Sequence, residues 1–176
     1  MDRIPDFSRK ILAANVYFRR ADELGKAWSR TSKEVTGYKK TDEYARMFVE
    51  IEKVKQEFAE RNSGYYLKVN IGTRSLETRI QKWNSLRSVG RTAREFIDSC
   101  RQEFSDSVYK VMPDSIEVER FRAFLRRYEF DKDRVPTVAT PGLSKHGQLR
   151  AFDFKVMKGR RMIAGANSAS IPTKWD

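Results

Sequence analysis

The stretch from Ser144 to Val156, Ser-Lys-His-Gly-Gln-Leu-Arg-Ala-Phe-Asp-Phe-Lys-Val, begins as a glycine-containing loop and continues as an alternating strand. Side chains of a strand point alternately to opposite faces, so Phe152, Phe154 and the final valine share one face. That face is apolar and is predicted to be buried. Asp153 lies on the opposite face beside a small alanine, which leaves space above its carboxylate. The stretch therefore predicts a half-buried strand that follows a polar loop.

Two further strands are predicted around this one. The alternation covers residues 149–156, Lys158-Gly159 predicts a turn, and residues 160–164 return as the second arm of a hairpin. Upstream, residues 65–71 (Tyr-Tyr-Leu-Lys-Val-Asn-Ile) are rich in aromatic and β-branched side chains and also alternate. Together these segments predict a small antiparallel sheet of three or more strands.

Apolar residues recur every three or four positions in most of the remaining chain, as in amphipathic helices. The pattern Thr92-x-x-Glu95 is a capping box, which predicts a helix start. The predicted helices cover residues 6–30, 41–61, 76–87, 93–111 and 115–128, and the predicted loops cover residues 29–40, 131–141 and 167–176. The predicted fold class is α+β, a small antiparallel sheet with flanking helices and an N-terminal helical hairpin.

The composition narrows the class of protein. With 176 residues, 39% of them hydrophobic, the chain can bury a core, which excludes disorder throughout. Its one cysteine, Cys100, excludes an internal disulfide and a cysteine-cluster metal site, and its helical setting predicts a buried free thiol. No apolar run is long enough to span a membrane, and the N-terminus lacks a signal-peptide pattern. We therefore expect synthesis in the cytoplasm.

The net charge of +12 has two interpretations. It can reflect solvated helix faces, or it can give affinity for polyanions such as nucleic acid, anionic wall polymers or acidic proteins. The candidate nucleic-acid patches are Arg19-Arg20, Arg126-Arg127 and Lys158-Gly-Arg-Arg161. Few aromatic residues interleave with these patches, so nucleic-acid binding is the least favoured of the functions considered.

His146 and Asp153 carry the clearest chemistry. An imidazole and a carboxylate seven residues apart, at the junction of a loop and a strand, can hold a zinc ion. The alternative is a surface histidine that forms a salt link or hydrogen bond with a strand aspartate. A catalytic zinc has three protein ligands as a rule, and the chain contains no second histidine.

The order Ser144, His146, Ala151, Asp153 resembles the signature of the M15 peptidase family of zinc D-Ala-D-Ala carboxypeptidases and dipeptidases. Some bacteriophage endolysins belong to this family, and hedgehog-type signalling domains share its fold. The resemblance implies that His146 and Asp153 are zinc ligands and that Ser144 supports the substrate-binding loop. The segment Val-Asn-Ile-Gly-Thr-Arg-Ser, ending at residue 75, is similar to a second family motif, which implies that Arg74 binds substrate.

The resemblance covers residues 63–176, interpreted as an M15-like domain with a helical insert at about 90–130; residues 1–62 form a separate helical segment. Leu149 replaces a glycine of the family pattern. The family's third zinc ligand, a histidine of a C-terminal Trp-His pair, and the glutamate that serves as general base have no counterpart here, so the catalytic base is unassigned and the domain is interpreted as C-terminally incomplete. Two interpretations remain, an incomplete form of a longer enzyme or a degenerate member of the family.

Three functions follow as hypotheses. The first is a zinc metallopeptidase of peptidoglycan stem peptides, phage- or virion-associated or released to the cell wall. Its zinc would bind weakly, and the 176 residues alone would be inactive without a third ligand. The second is a structural or assembly module of a virion or tail, with partner proteins held by residues 1–62. The third is nucleic-acid binding.

Overall fold

The computed structural model describes residues 2–24, 28–70, 75–104 and 115–165. Its elements confirm the predicted α+β class and the helical N-terminal region. The helices are α1 (Phe7–Arg19), α2 (Ala21–Leu24), α3 (Ser32–Tyr38), α4 (Asp42–Arg61), α5 (Leu76–Ser85), α6 (Arg87–Glu103) and α7 (Ser115–Arg127), with a 3-10 turn at Lys132–Arg134. The strands are β1 (Tyr66–Asn70), β2 (Asp153–Lys158) and β3 (Arg161–Ala164), which form an antiparallel sheet in the order β1-β2-β3.

The chain divides into two compact units, each built from two separate stretches of sequence. The first unit combines Met1–Ser29 with Arg74–Gln148. Its helices α1, α5, α6 and α7 enclose a core in which Leu12, Trp83 and Phe96 are fully buried. The indole nitrogen of Trp83 donates a hydrogen bond of 3.2 Å to the carbonyl oxygen of Arg9, which ties α5 to α1.

The second unit combines Arg30–Thr73 with Leu149–Asp176 and contains α3, α4 and the sheet. One face of the sheet packs on α4, where Phe58 meets Leu67, Val156 and Ala164 in a small core. The helix α4 starts at residue 42, as predicted to within one residue, because the side chain of Thr41 accepts a hydrogen bond from the Tyr44 amide.

Two predictions near the N-terminus were wrong. The helix predicted over 6–30 ends at Arg19, and a separate turn of helix covers Ala21–Leu24. The loop predicted over 29–40 contains α3, which a complete capping box opens: the side chains of Thr31 and Glu34 each accept a hydrogen bond from the other's backbone amide. This helix has one buried side chain, Val35, so its sequence carries no apolar period from which to predict it.

Two element starts also differ from the prediction. Helix α6 starts at Arg87 instead of 93, so Thr92 lies inside it. The hydroxyl of Thr92 is within hydrogen-bonding distance of the carbonyl oxygens of Ser88 (3.0 Å) and Arg134 (2.7 Å), and it does not cap the helix. Strand β2 covers Asp153–Lys158 instead of 149–156, because Leu149 has a φ of 60°, which a strand cannot accommodate. The parts predicted at 71, 105–111 and 167–176 lie outside the described residues.

No described helix combines the length and the apolar composition that a membrane crossing requires.

Candidate active site

The loop that carries His146 is a tight, internally bonded turn. Ser144 is buried, and its hydroxyl oxygen accepts a hydrogen bond of 3.3 Å from the backbone amide of Gly147. Its carbonyl oxygen accepts a second bond, of 3.0 Å, from the amide of Gln148. These two bonds close the turn that contains His146, a half-buried residue. The hydroxyl of Ser144 therefore shapes the turn from within.

Residues that the sequence did not single out hold the preceding loop in place. Gly142 has a φ of 89°, and a Cβ atom there would lie 2.3 Å from the ring of Trp28, so this position requires glycine. The carbonyl oxygen of Gly142 accepts a 2.8 Å bond from the amide of Ser29. The hydroxyl of Tyr17 donates a 2.8 Å bond to the carbonyl oxygen of Pro141, and burial raises the pKa of Tyr17 to about 12.

The backbone has an unusual conformation at Leu149. Its φ of 60° lies in the left-handed region, where leucine is uncommon and glycine is at ease. The side chain is buried, so its packing offsets the backbone strain. The local conformation is thus one that a glycine would adopt, although the residue is leucine.

Strand register relates the two sequence motifs. Asp153 is the first residue of β2 and pairs with Asn70, the last residue of β1. Its side chain is half-buried. Arg74 follows Asn70 by four residues and lies outside the described residues. Two motifs that are about seventy residues apart in sequence therefore lead to, or begin at, one end of the sheet.

The donor set for zinc is incomplete within the described residues. His146 belongs to the first compact unit and Asp153 to the second. Among residues 2–24, 28–70, 75–104 and 115–165, no group of three or more His, Cys, Asp or Glu side chains is placed to hold a metal ion. Cys100 is buried in the helical core, and burial raises its pKa to about 12, so it remains a thiol and not the thiolate that binds metals. These residues alone therefore do not satisfy a three-ligand site.

Comparison with protein-family models, curated proteins and solved structures finds no match to this chain.

Proposed function

We propose that this chain is a peptidoglycan zinc metallopeptidase-like protein of the M15 type, associated with a phage or virion and directed at stem peptides of the D-Ala-D-Ala type. The observation that carries the proposal is the pairing of Asn70 with Asp153. This register joins the strand of the arginine motif to the strand of the histidine–aspartate motif at one end of the sheet. If the two motifs resembled the family signatures only by chance, their strands would not need to be neighbours in the sheet.

The side-chain chemistry supports the same proposal. His146 and Asp153 offer a nitrogen and an oxygen donor, both of which zinc accepts. Arg74 offers a planar fork of donors that suits the carboxylate of a peptide. Ser144 acts as a positioning residue, because its hydroxyl is engaged by the backbone of the turn. Bound zinc would supply Lewis-acid polarisation of the scissile carbonyl.

The third ligand and the general base are not assigned to any described residue. We expect the 176-residue chain to bind zinc weakly, and we expect hydrolysis in a form that supplies the missing ligand and base.

The test is zinc binding by the purified chain, measured by calorimetry and by metal analysis after dialysis. Replacing His146 with Ala, or Asp153 with Ala, should each weaken zinc binding by at least about tenfold, because each removes a direct ligand. The matched control is Asp98→Ala, which removes an exposed carboxylate that pairs with Arg101 on α6. This control should leave zinc affinity unchanged.

Two results would contradict the proposal. One is that the folded chain binds zinc no more tightly than the unfolded chain does. The other is zinc binding that survives both substitutions, which would place the metal on other residues. Normal circular-dichroism spectra for all variants are needed to separate loss of a ligand from loss of the fold.

A further inference from the structure

Four arginines surround a polar cleft in the first compact unit. The cleft has a volume of about 550 Å³, and Arg9 of α1 and Arg87, Arg91 and Arg94 of α6 line it together with two serines and Gly90. The three arginines of α6 follow one another at spacings of four and three residues, so they lie on one face of the helix. The cleft is separate from the proposed peptidase motifs in sequence.

The position of Arg9 is fixed by the fold. Its Nη1 donates a hydrogen bond to the carbonyl oxygen of Trp83, a fully buried residue. Its guanidinium also lies directly over Gly90, where a Cβ atom would be 2.7 Å from Nη2. The absence of a side chain at Gly90 thus allows a guanidinium from α1 to reach the face of α6. This contact brings a fourth positive charge to a face that already carries three.

The start of α6 is electrostatically unusual. Its N-cap is Leu86, which makes no side-chain capping bond, and its first turn contains no acidic residue. Each other described helix of seven residues or more has a capping side chain, an acidic first turn or both. The N-terminal end of a helix carries partial positive charge, so arginines there are unfavourable unless an anion lies nearby.

The four arginines differ in their pairing from several others in the chain. Arginines that form ion pairs with carboxylates include Arg19 with Glu129, Arg61 with Glu57, Arg101 with Asp98, Arg122 with Glu119 and Arg127 with Glu103. Within the described part of the chain, no carboxylate lies within 4.0 Å of the guanidinium nitrogens of Arg9, Arg87, Arg91 or Arg94. The fold therefore gathers positive charge here and leaves it without an internal counter-charge.

We propose that this arginine cleft binds the phosphate groups of a nucleic-acid duplex. Guanidinium groups match phosphate oxygens by paired hydrogen bonds, and arginine is more suited to this than lysine. The distance from Arg87 to Arg94 is roughly 10 Å along the helix axis. A row of this length offers more than one guanidinium to the phosphates of one strand.

The lining of the cleft favours a duplex over a single strand. Among the described residues that line the cleft there is no aromatic side chain, whereas proteins that hold single strands stack bases on aromatic rings. Contacts to phosphate carry no base information, so binding is independent of sequence.

Two of the three patches predicted from sequence, Arg19-Arg20 and Arg126-Arg127, are weaker candidates. Arg19 pairs with Glu129 and Arg127 pairs with Glu103, both at 2.5 Å, while Arg126 lies over the ring of Phe18. Doublets of basic residues on helices thus find partners within the fold. The arginine cleft is formed by residues from two helices that are far apart in sequence, which no local pattern displays.

The test is the affinity of the full chain for a short fluorescent DNA duplex, measured by anisotropy over a range of salt concentrations. The double substitution Arg91→Ala with Arg94→Ala should weaken binding by about tenfold or more, and should lower the slope of log affinity against log salt by about 2. The matched control, Arg101→Ala with Arg122→Ala, removes the same charge from arginines that are paired with carboxylates. It should change affinity by less than about twofold.

Gly90→Ala tests the same cleft without a change of charge. The new methyl group displaces the guanidinium of Arg9, so affinity should fall; the lost bond to the Trp83 carbonyl oxygen opposes the gain in helix propensity, so the melting temperature should change little. Equal losses in the site and control double variants would overturn the proposal, because they would show diffuse attraction. Binding of a glycerol-phosphate polymer without binding of the duplex would also overturn it. A single strand that binds more tightly than the duplex would do the same.

Discussion

Leu149 combines a left-handed backbone conformation with a buried side chain. The left-handed backbone there costs a non-glycine residue about 1–2 kcal/mol. Its side chain is 5% exposed, so burial of the isobutyl group offsets that cost. The position is therefore a compromise between backbone strain and side-chain packing, and the two contributions can be separated by substitution.

At Leu149, glycine should be a better replacement than alanine. Both substitutions remove the buried side chain at a cost of about 2–5 kcal/mol, but only glycine relieves the left-handed strain. We expect Leu149→Gly to be more stable than Leu149→Ala by about 1 kcal/mol, measured by urea unfolding. The comparison pair, Glu95→Gly and Glu95→Ala on the exposed face of α6, should give the opposite order by about 1 kcal/mol. If alanine were the more stable replacement at both positions, this would argue against backbone strain at Leu149.

Helix ends in this protein are completed by distant side chains as well as by local caps. Asn15 in α1 is fully buried, and its amide nitrogen donates to the carbonyl oxygens of Leu125 (2.8 Å) and Tyr128 (3.1 Å) at the end of α7. The last carbonyls of a helix have no partner within it. A residue of one helix thus completes the end of another, about 110 positions away in sequence.

Asn15→Ala should destabilise the first unit by about 2–4 kcal/mol. The substitution leaves two carbonyl oxygens without this donor, that of Leu125 in a buried bond and that of Tyr128 in a partly buried one, at about 1–3 kcal/mol each. Thermal and urea unfolding of the full chain would measure this loss. Gln102→Ala, at an exposed position of α6, provides the control and should change stability by less than about 0.5 kcal/mol. A loss below 1 kcal/mol at Asn15 would mean that water replaces its two bonds.

The elements that the sequence predicts well are those with long apolar periods. Helices α4 and α7 and strand β1 lie within one residue of their predicted ends, apart from the end of the β1 prediction at residue 71, which lies outside the described residues. Helix starts were less predictable, because Thr31 caps a helix and Thr92 does not, although both precede a glutamate by three residues. The difference lies in whether tertiary packing buries the hydroxyl, and a local pattern does not contain that information.

At the scale of the whole molecule, each compact unit draws on an early and a late stretch of the chain. Helix α1 contributes Leu12 and Ala13 to the core of the first unit, and α4 contributes Phe58 to the core of the second. The domain prediction placed both helices in one N-terminal segment, residues 1–62. Removing that segment is therefore an informative experiment.

A chain that lacks residues 1–62 should fail to fold cooperatively. Both cores lose fully or almost fully buried side chains, and the loss of several such residues exceeds the stability of a typical domain. Near-ultraviolet circular dichroism and urea unfolding would compare it with the full chain. A sharp unfolding transition in residues 63–176 would instead support an independent domain with a helical appendage.

The sequence by itself determined the fold class, most helices and the three strands, and it singled out His146 and Asp153 as candidate ligands. These follow from short-range periods and from residue types, which a linear pattern contains. Tertiary structure alone decided the division into two interleaved units, the pairing of Asn70 with Asp153 and the gathering of Arg9 with the arginines of α6. Each of these depends on which distant segments bury apolar surface together, and burial is a property of the folded chain.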